Sequence, residues 1–114
     1  MCDLRVFPAR RADGSSRIMA RFSAKVDVKE SIIDILTAWG QHHEERGEHL
    51  ATEFATSPDV VVANSETRVI FDIRPDSRLW KDRVVEVVTR MEQLAGVELL
   101  GFYDLVADRP HHES

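Results

Sequence analysis

With one cysteine, Cys2, in 114 residues, the chain can close no internal disulfide, which points to a reducing compartment. Cys2 is read as incidental rather than reactive, and no Cys-x-x-Cys pair is present to carry a soft metal. No apolar run approaches the roughly 18 residues of a membrane span, and no secretory-type apolar stretch opens the chain. A soluble cytoplasmic protein without membrane association is therefore expected. The five glycines are isolated, so none is grouped before a helix as a phosphate-cradling loop requires. No serine or cysteine sits in a nucleophile motif, and no cofactor motif occurs.

Positive charge is also scarce. The net charge is −5, with six basic and two acidic groups in residues 1–26, two and eight in residues 27–59, and seven and ten in residues 60–114. A dedicated nucleic-acid binder needs a basic surface for counterion release, so this balance disfavours nucleic acid as the partner. RNA recognition on a sheet would also require exposed aromatics in a Lys/Arg-Gly-Phe/Tyr pattern, which the run Arg68–Arg74 lacks. Arginine outnumbers lysine twelve to three, a ratio that a GC-rich bacterial genome explains as readily as a functional demand.

What the chain does contain is long-range alternation. From Ile18 to Val28 every even position is apolar, while the odd positions are polar or charged apart from Met19. This pattern predicts a strand with one buried face and one that turns Arg17, Arg21 and Lys25 outward. Before it, Leu4–Phe7 has short strand character and Asp13-Gly14 supplies a turn, predicting an N-terminal hairpin whose Pro8 suits a sheet edge. Asp27 and Glu30 resemble a capping box for a first helix that carries Val28, Ile32, Ile35, Leu36 and Trp39 on one stripe. That helix is expected to reach about Arg46, with a shorter or continuing helical segment to about Ala55.

Val60–Ala63 and Arg68–Arg74 flank a polar turn and read as a hairpin, with Val69, Phe71 and Ile73 inward. Ser77 is the expected N-cap of a second helix, whose stripe Trp80, Val84, Val87, Val88, Met91, Leu94 and Ala95 ends at Gly96. A last strand, Glu98–Ala107, has a mixed pattern that suggests burial on both faces, and residues 108–114 read as a disordered polar tail. The expected class is thus one α+β domain, residues 1–107, large enough to fold without disulfide or metal. Its order, β-β-α-β-β-α-β, corresponds to a ferredoxin-like βαββαβ sandwich with an added N-terminal strand, its antiparallel sheet covered by two helices on one face.

Since this fold hosts many unrelated activities, function has to come from sites. The first expected site is the open sheet face, where Arg17, Met19, Arg21, Arg68, Ile70 and Arg74 would meet a protein partner or a second copy of the chain. Asp72 would share that face, with either Phe102 and Asp104 or Tyr103 from the last strand. On this reading the protein is a small non-catalytic binding or regulatory module that needs no cofactor.

An alternative is a dimeric α+β-barrel enzyme with a pocket between sheet and helices. His43 would be its acid-base group, and Trp39 and Tyr103 would line the pocket. A third possibility is a metal held by His42, Glu45 and His49, with Glu53, if the first helix runs unbroken through Gly47. That spacing matches no common zinc pattern. Ser15 and Ser16 read as a solvated turn rather than an anion nest, Trp39 and Trp80 as core residues, and His111-His112 as a source of adventitious metal binding.

Overall fold

The alternation that dominates the sequence becomes the central strand, β1 (Ser16–Ala24). The computed structural model describes Leu4, residues 8–24 and residues 27–110, with Arg109 described by its backbone alone. Expectations resting on Cys2, residues 5–7, Lys25, His111 and His112 lie outside the described residues. Ile18, Ala20 and Phe22 are fully buried, while Arg17, Met19, Arg21 and Ser23 are half-buried on the other face. The described strand spans Ser16–Ala24, and Val28 is buried at the start of the first helix rather than on the strand.

The elements follow as α1 (Lys29–Glu45), a 3₁₀ turn (Leu50–Thr52), β2 (Asp59–Ala63), β3 (Glu66–Ile73), α2 (Trp80–Glu92), β4 (Val97–Asp104) and β5 (Arg109–Pro110). Sheet order is β2-β3-β1-β4-β5, and every pairing is antiparallel. The result is a compact α+β domain in which two helices pack on an antiparallel sheet of four full strands. Extents of 37 × 36 × 22 Å leave room along the short axis for one sheet and one helix layer, since packed layers sit ~10 Å apart. The inward residues of β1 and β3 share a core with Ile32 and Trp39 of α1 and with Trp80, Val84, Val87, Val88 and Met91 of α2. Among the described residues the opposite sheet face carries no helix.

The β2–β3 hairpin turns on Asn64 and Ser65, at φ 52° and 64°, a two-residue turn whose twist matches that of the strands it joins. The mixed pattern of the last strand has a different cause from burial on both faces. Register slips between Arg21 and Phe22, where Gly101 and then Leu99 are the partners, so Leu100 is an extra residue in a β-bulge. Val97 and Leu99 pack inward before the bulge, Phe102 and Asp104 after it, and Leu100 is exposed.

Burying Asp104 is tolerable because its carboxylate is fully engaged by backbone donors. Oδ2 accepts from the Ala9 N–H at 2.7 Å, and Oδ1 from the N–H groups of Val106 and Ala107, both at 3.0 Å. Residues 105–108 turn, and Arg109–Pro110 pair with β4, so the front of the expected polar tail lies on the sheet edge. Among described residues 8–15 there is a turn at Asp13-Gly14 and no strand. Gly14 is required there twice over, by φ +87° and by the approach of Pro75, whose Cβ would lie 3.0 Å from an added Cβ.

The start of each helix departs from expectation, while α1 ends where expected, at Glu45 with Arg46 as its cap and a short helical turn following. The N-cap of α1 is Val28 without a side-chain cap, and Asp27 instead accepts the Lys29 N–H at 3.1 Å. At the C-terminus, Gly47 takes φ +74°, the Glu48 N–H bonds to His43 O at 2.8 Å, and the Gly47 N–H to Glu44 O at 3.0 Å. This is a Schellman stop, and it prevents α1 from continuing toward Ala55. The cap of α2 comes from far away in sequence. Glu53 Oε1 accepts from Ser77 Oγ at 2.9 Å and from the backbone N–H groups of Arg78 at 2.9 Å and Leu79 at 2.6 Å.

Candidate functional site

Pairing geometry settles which last-strand residues join the open face. Met19 lies opposite Ile70 on one side and Tyr103 on the other, and Tyr103 opposite Pro110. A row of apolar and aromatic side chains, Ile70–Met19–Tyr103–Pro110, therefore crosses the sheet. Phe102 and Asp104 point into the core, each 2% exposed. The Tyr103 hydroxyl donates to Asp108 Oδ1 at 2.7 Å, and this partner raises the phenol above its ordinary value.

On either side of the row lies a line of ion pairs. Arg21 and Arg68 stand opposite each other and share the carboxylate of Glu66. Arg21 Nε donates to Glu66 Oε2 at 3.1 Å and its Nη2 to Oε1, while Arg68 Nε donates to Oε2 at 3.0 Å. Hydrogen bonding from Arg21 first, then from Arg68, holds the Glu66 carboxyl below the usual range. On the other flank Arg17 and Asp72 pair at 3.4 Å, and Thr56 Oγ1 donates to Asp72 at 3.1 Å.

Among the described residues the excess of cations expected on this face is absent once register is fixed. Arg17, Arg21 and Arg68 meet Glu66, Asp72, Glu98 opposite Ser23, and Asp59 opposite Ile70. Arg74 lies past the end of β3 with its N–H bonded to Glu53 O at 2.9 Å, outside the paired register of the face. Among the described residues the face thus combines a small excess of carboxylates with ion-paired arginines and a central apolar row.

On the helix side, His43 is 2% exposed, and both ring nitrogens face carboxylates. Nε2 lies 2.5 Å from Glu86 Oε1, and Nδ1 lies 3.4 Å from Glu48 Oε1. The same Glu86 oxygen accepts the Trp39 indole N–H at 2.7 Å. Burial pushes the Glu86 carboxyl up, but the hydrogen bonds from His43 and Trp39 outweigh it and leave it below its ordinary value. Glu48 also takes the Arg83 guanidinium at 3.1 Å. His43 is thus a structural pin between the end of α1 and α2, with its polar atoms engaged by carboxylates rather than by backbone. Tyr103 lies across the sheet from Trp39 and His43, so the three do not line one pocket.

The metal arrangement is dispersed by the Schellman stop. His49 leaves the helix axis and pairs with Glu44 at 2.9 Å, and Glu53 is committed to α2. Among the described residues no group of three or more His, Cys, Asp or Glu is placed to hold a metal ion. Among the described residues no helix is long and apolar enough to cross a membrane.

A cleft of about 830 Å³ opens between α1 and the segment from the 3₁₀ turn to β2. Its walls include Ile33, Leu36 and Trp39 on one side and Leu50, Phe54 and Val60 on the other. Sequence patterning misses it because those residues look like ordinary core stripe positions. Glu48 and Glu86 are missed as well, and Glu53 is read only as a metal ligand and not as a cap, since nothing local marks a carboxylate whose partners are distant in sequence. Comparison of the chain with protein-family models, curated proteins and solved structures gives no match.

Proposed function

We propose that the protein is a non-catalytic binding module, a ferredoxin-like sandwich that pairs with a second copy of itself through the open sheet face. The observation that carries this reading is the apolar row Ile70–Met19–Tyr103 between two ion-paired lines on a face that no helix among the described residues covers. An anionic partner would need free cations, and the three arginines here are held by Glu66 and Asp72. A second copy suits the face better. With a two-fold axis along the row, the Arg21–Glu66–Arg68 line of one copy lies over the Arg17–Asp72 line of the other, so both signs meet both signs. The apolar row then supplies the desolvated centre that such contacts need.

Light scattering over a concentration series tests this. The expected mass is near twice 13.0 kDa, returning to the monomer value when Met19→Ser is combined with Ile70→Ser. Arg21→Glu alone sets two carboxylates side by side and should abolish association, whereas Arg21→Glu with Glu66→Arg restores the pair and should recover it. A monomer at every concentration, or a dimer indifferent to the double serine variant, would remove this face from consideration.

A further inference from the structure

The two margins of the sheet are finished differently. Outside β4 lies β5, two residues long and ending in Pro110, and β4 itself carries the bulge at Leu100 and a charge at Glu98. Short strands, proline, bulges and charges are the devices that keep a free edge from pairing with another chain. From Val60 to Ala63 β2 has none of them, and Asp59 is its one charged residue. Among the described residues β2 ends the sheet with no strand outside it.

Register identifies the groups left open. Because the Asn64-Ser65 turn is closed by Ala63 and Glu66, the hydrogen-bonded pairs fall at Ala63–Glu66, Val61–Arg68 and Asp59–Ile70. The N–H and C=O groups of Val60 and Val62 therefore point away from β3, and an extended backbone is the partner that matches such groups at strand spacing. The flanks are apolar on both sides. Val60 and Val62 face the helix layer, where Val60 and Ile33 share a wall of the cleft beside α1, while Val61 turns to the open face with Asp59. Ile33, Val61 and Val62 are three of the five large apolar side chains exposed among the described residues. Asp59 is exposed too, and the ion pairs among the described residues do not include it. We propose that β2 takes up an extended segment of a partner protein as an added antiparallel strand, its alternate apolar side chains on the cleft side and a basic residue between them beside Asp59. A second copy fits less well, because two β2 strands paired antiparallel about Val61 set Ala63 against Asp59 and offer it no cation.

A short acetylated and amidated peptide of alternating lysine and valine is the probe, followed by amide chemical shifts of the whole protein. Saturable binding is expected, with shifts concentrated in residues 59–63. In the antiparallel pair the valines opposite Val60 and Val62 make the backbone bonds, so N-methylation of the valines should weaken binding at least about tenfold. N-methylation of the lysines, which keeps charge and composition equal, should leave it unchanged. Val62→Pro removes an outward N–H and no β2–β3 bond, so it should weaken binding at least about tenfold while the amide spectrum of the fold persists. The methylated peptides test the same bonds without altering the protein. Asp59→Asn should weaken binding several-fold. Met19→Ser with Ile70→Ser should leave it unchanged, so failure of the sheet-face dimer and failure of this edge are read separately. Absence of saturable binding, equal affinity for the two methylated peptides, or binding indifferent to Val62→Pro would each overturn the proposal. So would self-pairing of the edge, seen as a dimer of the double serine variant that Val62→Pro dissociates.

Discussion

The carboxylate of Glu53 lies 2.6 Å from the backbone N–H of Leu79, so the start of α2 is capped by a residue just past the 3₁₀ turn rather than by its own Ser77. Glu53 is 8% exposed and also binds the Arg78 N–H, Ser77 Oγ and Thr52 Oγ1. Glu53→Ala leaves those backbone donors without their acceptor and should cost about 2–3 kcal/mol of stability. Glu53→Gln keeps one acceptor oxygen and should cost about half as much. Urea unfolding midpoints measure both, and equal losses for the two variants would contradict a cap that works through accepted hydrogen bonds.

The same site predicts how stability depends on pH. Burial pushes the Glu53 carboxyl up, but the bonds from Leu79, Ser77, Arg78 and Thr52 outweigh it and hold it below the ordinary 4.5. Its stabilisation is therefore complete above that value and is lost as pH falls through the lowered folded value, because the unfolded chain takes up the proton first. Glu66 and Glu86 are shifted in the same direction. Urea midpoints between about pH 3 and pH 7 should fall on the acid side, less steeply in Glu53→Gln. An unchanged acid slope in that variant would show that Glu53 is not one of the groups responsible.

Two glycines of the α1 region should respond in opposite ways to alanine. At Gly40 the backbone is helical and a Cβ meets nothing, so Gly40→Ala should stabilise by about 0.5–1 kcal/mol. At Gly47 a Cβ also meets nothing, but φ is +74°, so Gly47→Ala should destabilise by about 1 kcal/mol through backbone strain alone. Thermal unfolding of the pair decides it, and a shared sign would refute the Schellman stop.

What could be read from sequence follows from how far each signal reaches along the chain. β1, the hairpin and α2 are legible because Ile18–Phe22, Val69–Ile73 and Trp80–Met91 repeat a burial pattern over many residues, and tertiary contacts do not override it. The end of α1 near Arg46 is legible, but the Schellman stop that makes it is not, since that needs φ and two hydrogen bonds to be recognised. Glu53, Glu86 and Asp104 are silent because each acts on partners remote in sequence. On the sheet face alternation puts Met19 and Ile70 on one side of their strands, and the register sets them opposite each other. The charge balance is not legible from alternation, because Glu66, Glu98 and Asp59 enter only once register is known.

The β-bulge makes a sharp comparison between two adjacent leucines. Leu99 packs against the core and Leu100 is 43% exposed. Leu99→Ala should cost about 1–2 kcal/mol, and Leu100→Ala should stay within about 0.5 kcal/mol of the parent. Denaturant unfolding of the two variants tests the register, which fails if Leu100 is the costlier position.

Asp104 has a mechanical consequence. Its two oxygens hold Ala9 near one end of the described chain and Val106 and Ala107 near the other, while Leu105 N–H bonds to Arg17 O at 2.9 Å. A pull between the two ends therefore loads this one carboxylate and the β1–β4 seam beside it. A tether attached at either end would be felt at the other, and Asp104→Asn would turn a charged buckle into a weaker one without touching the helix layer.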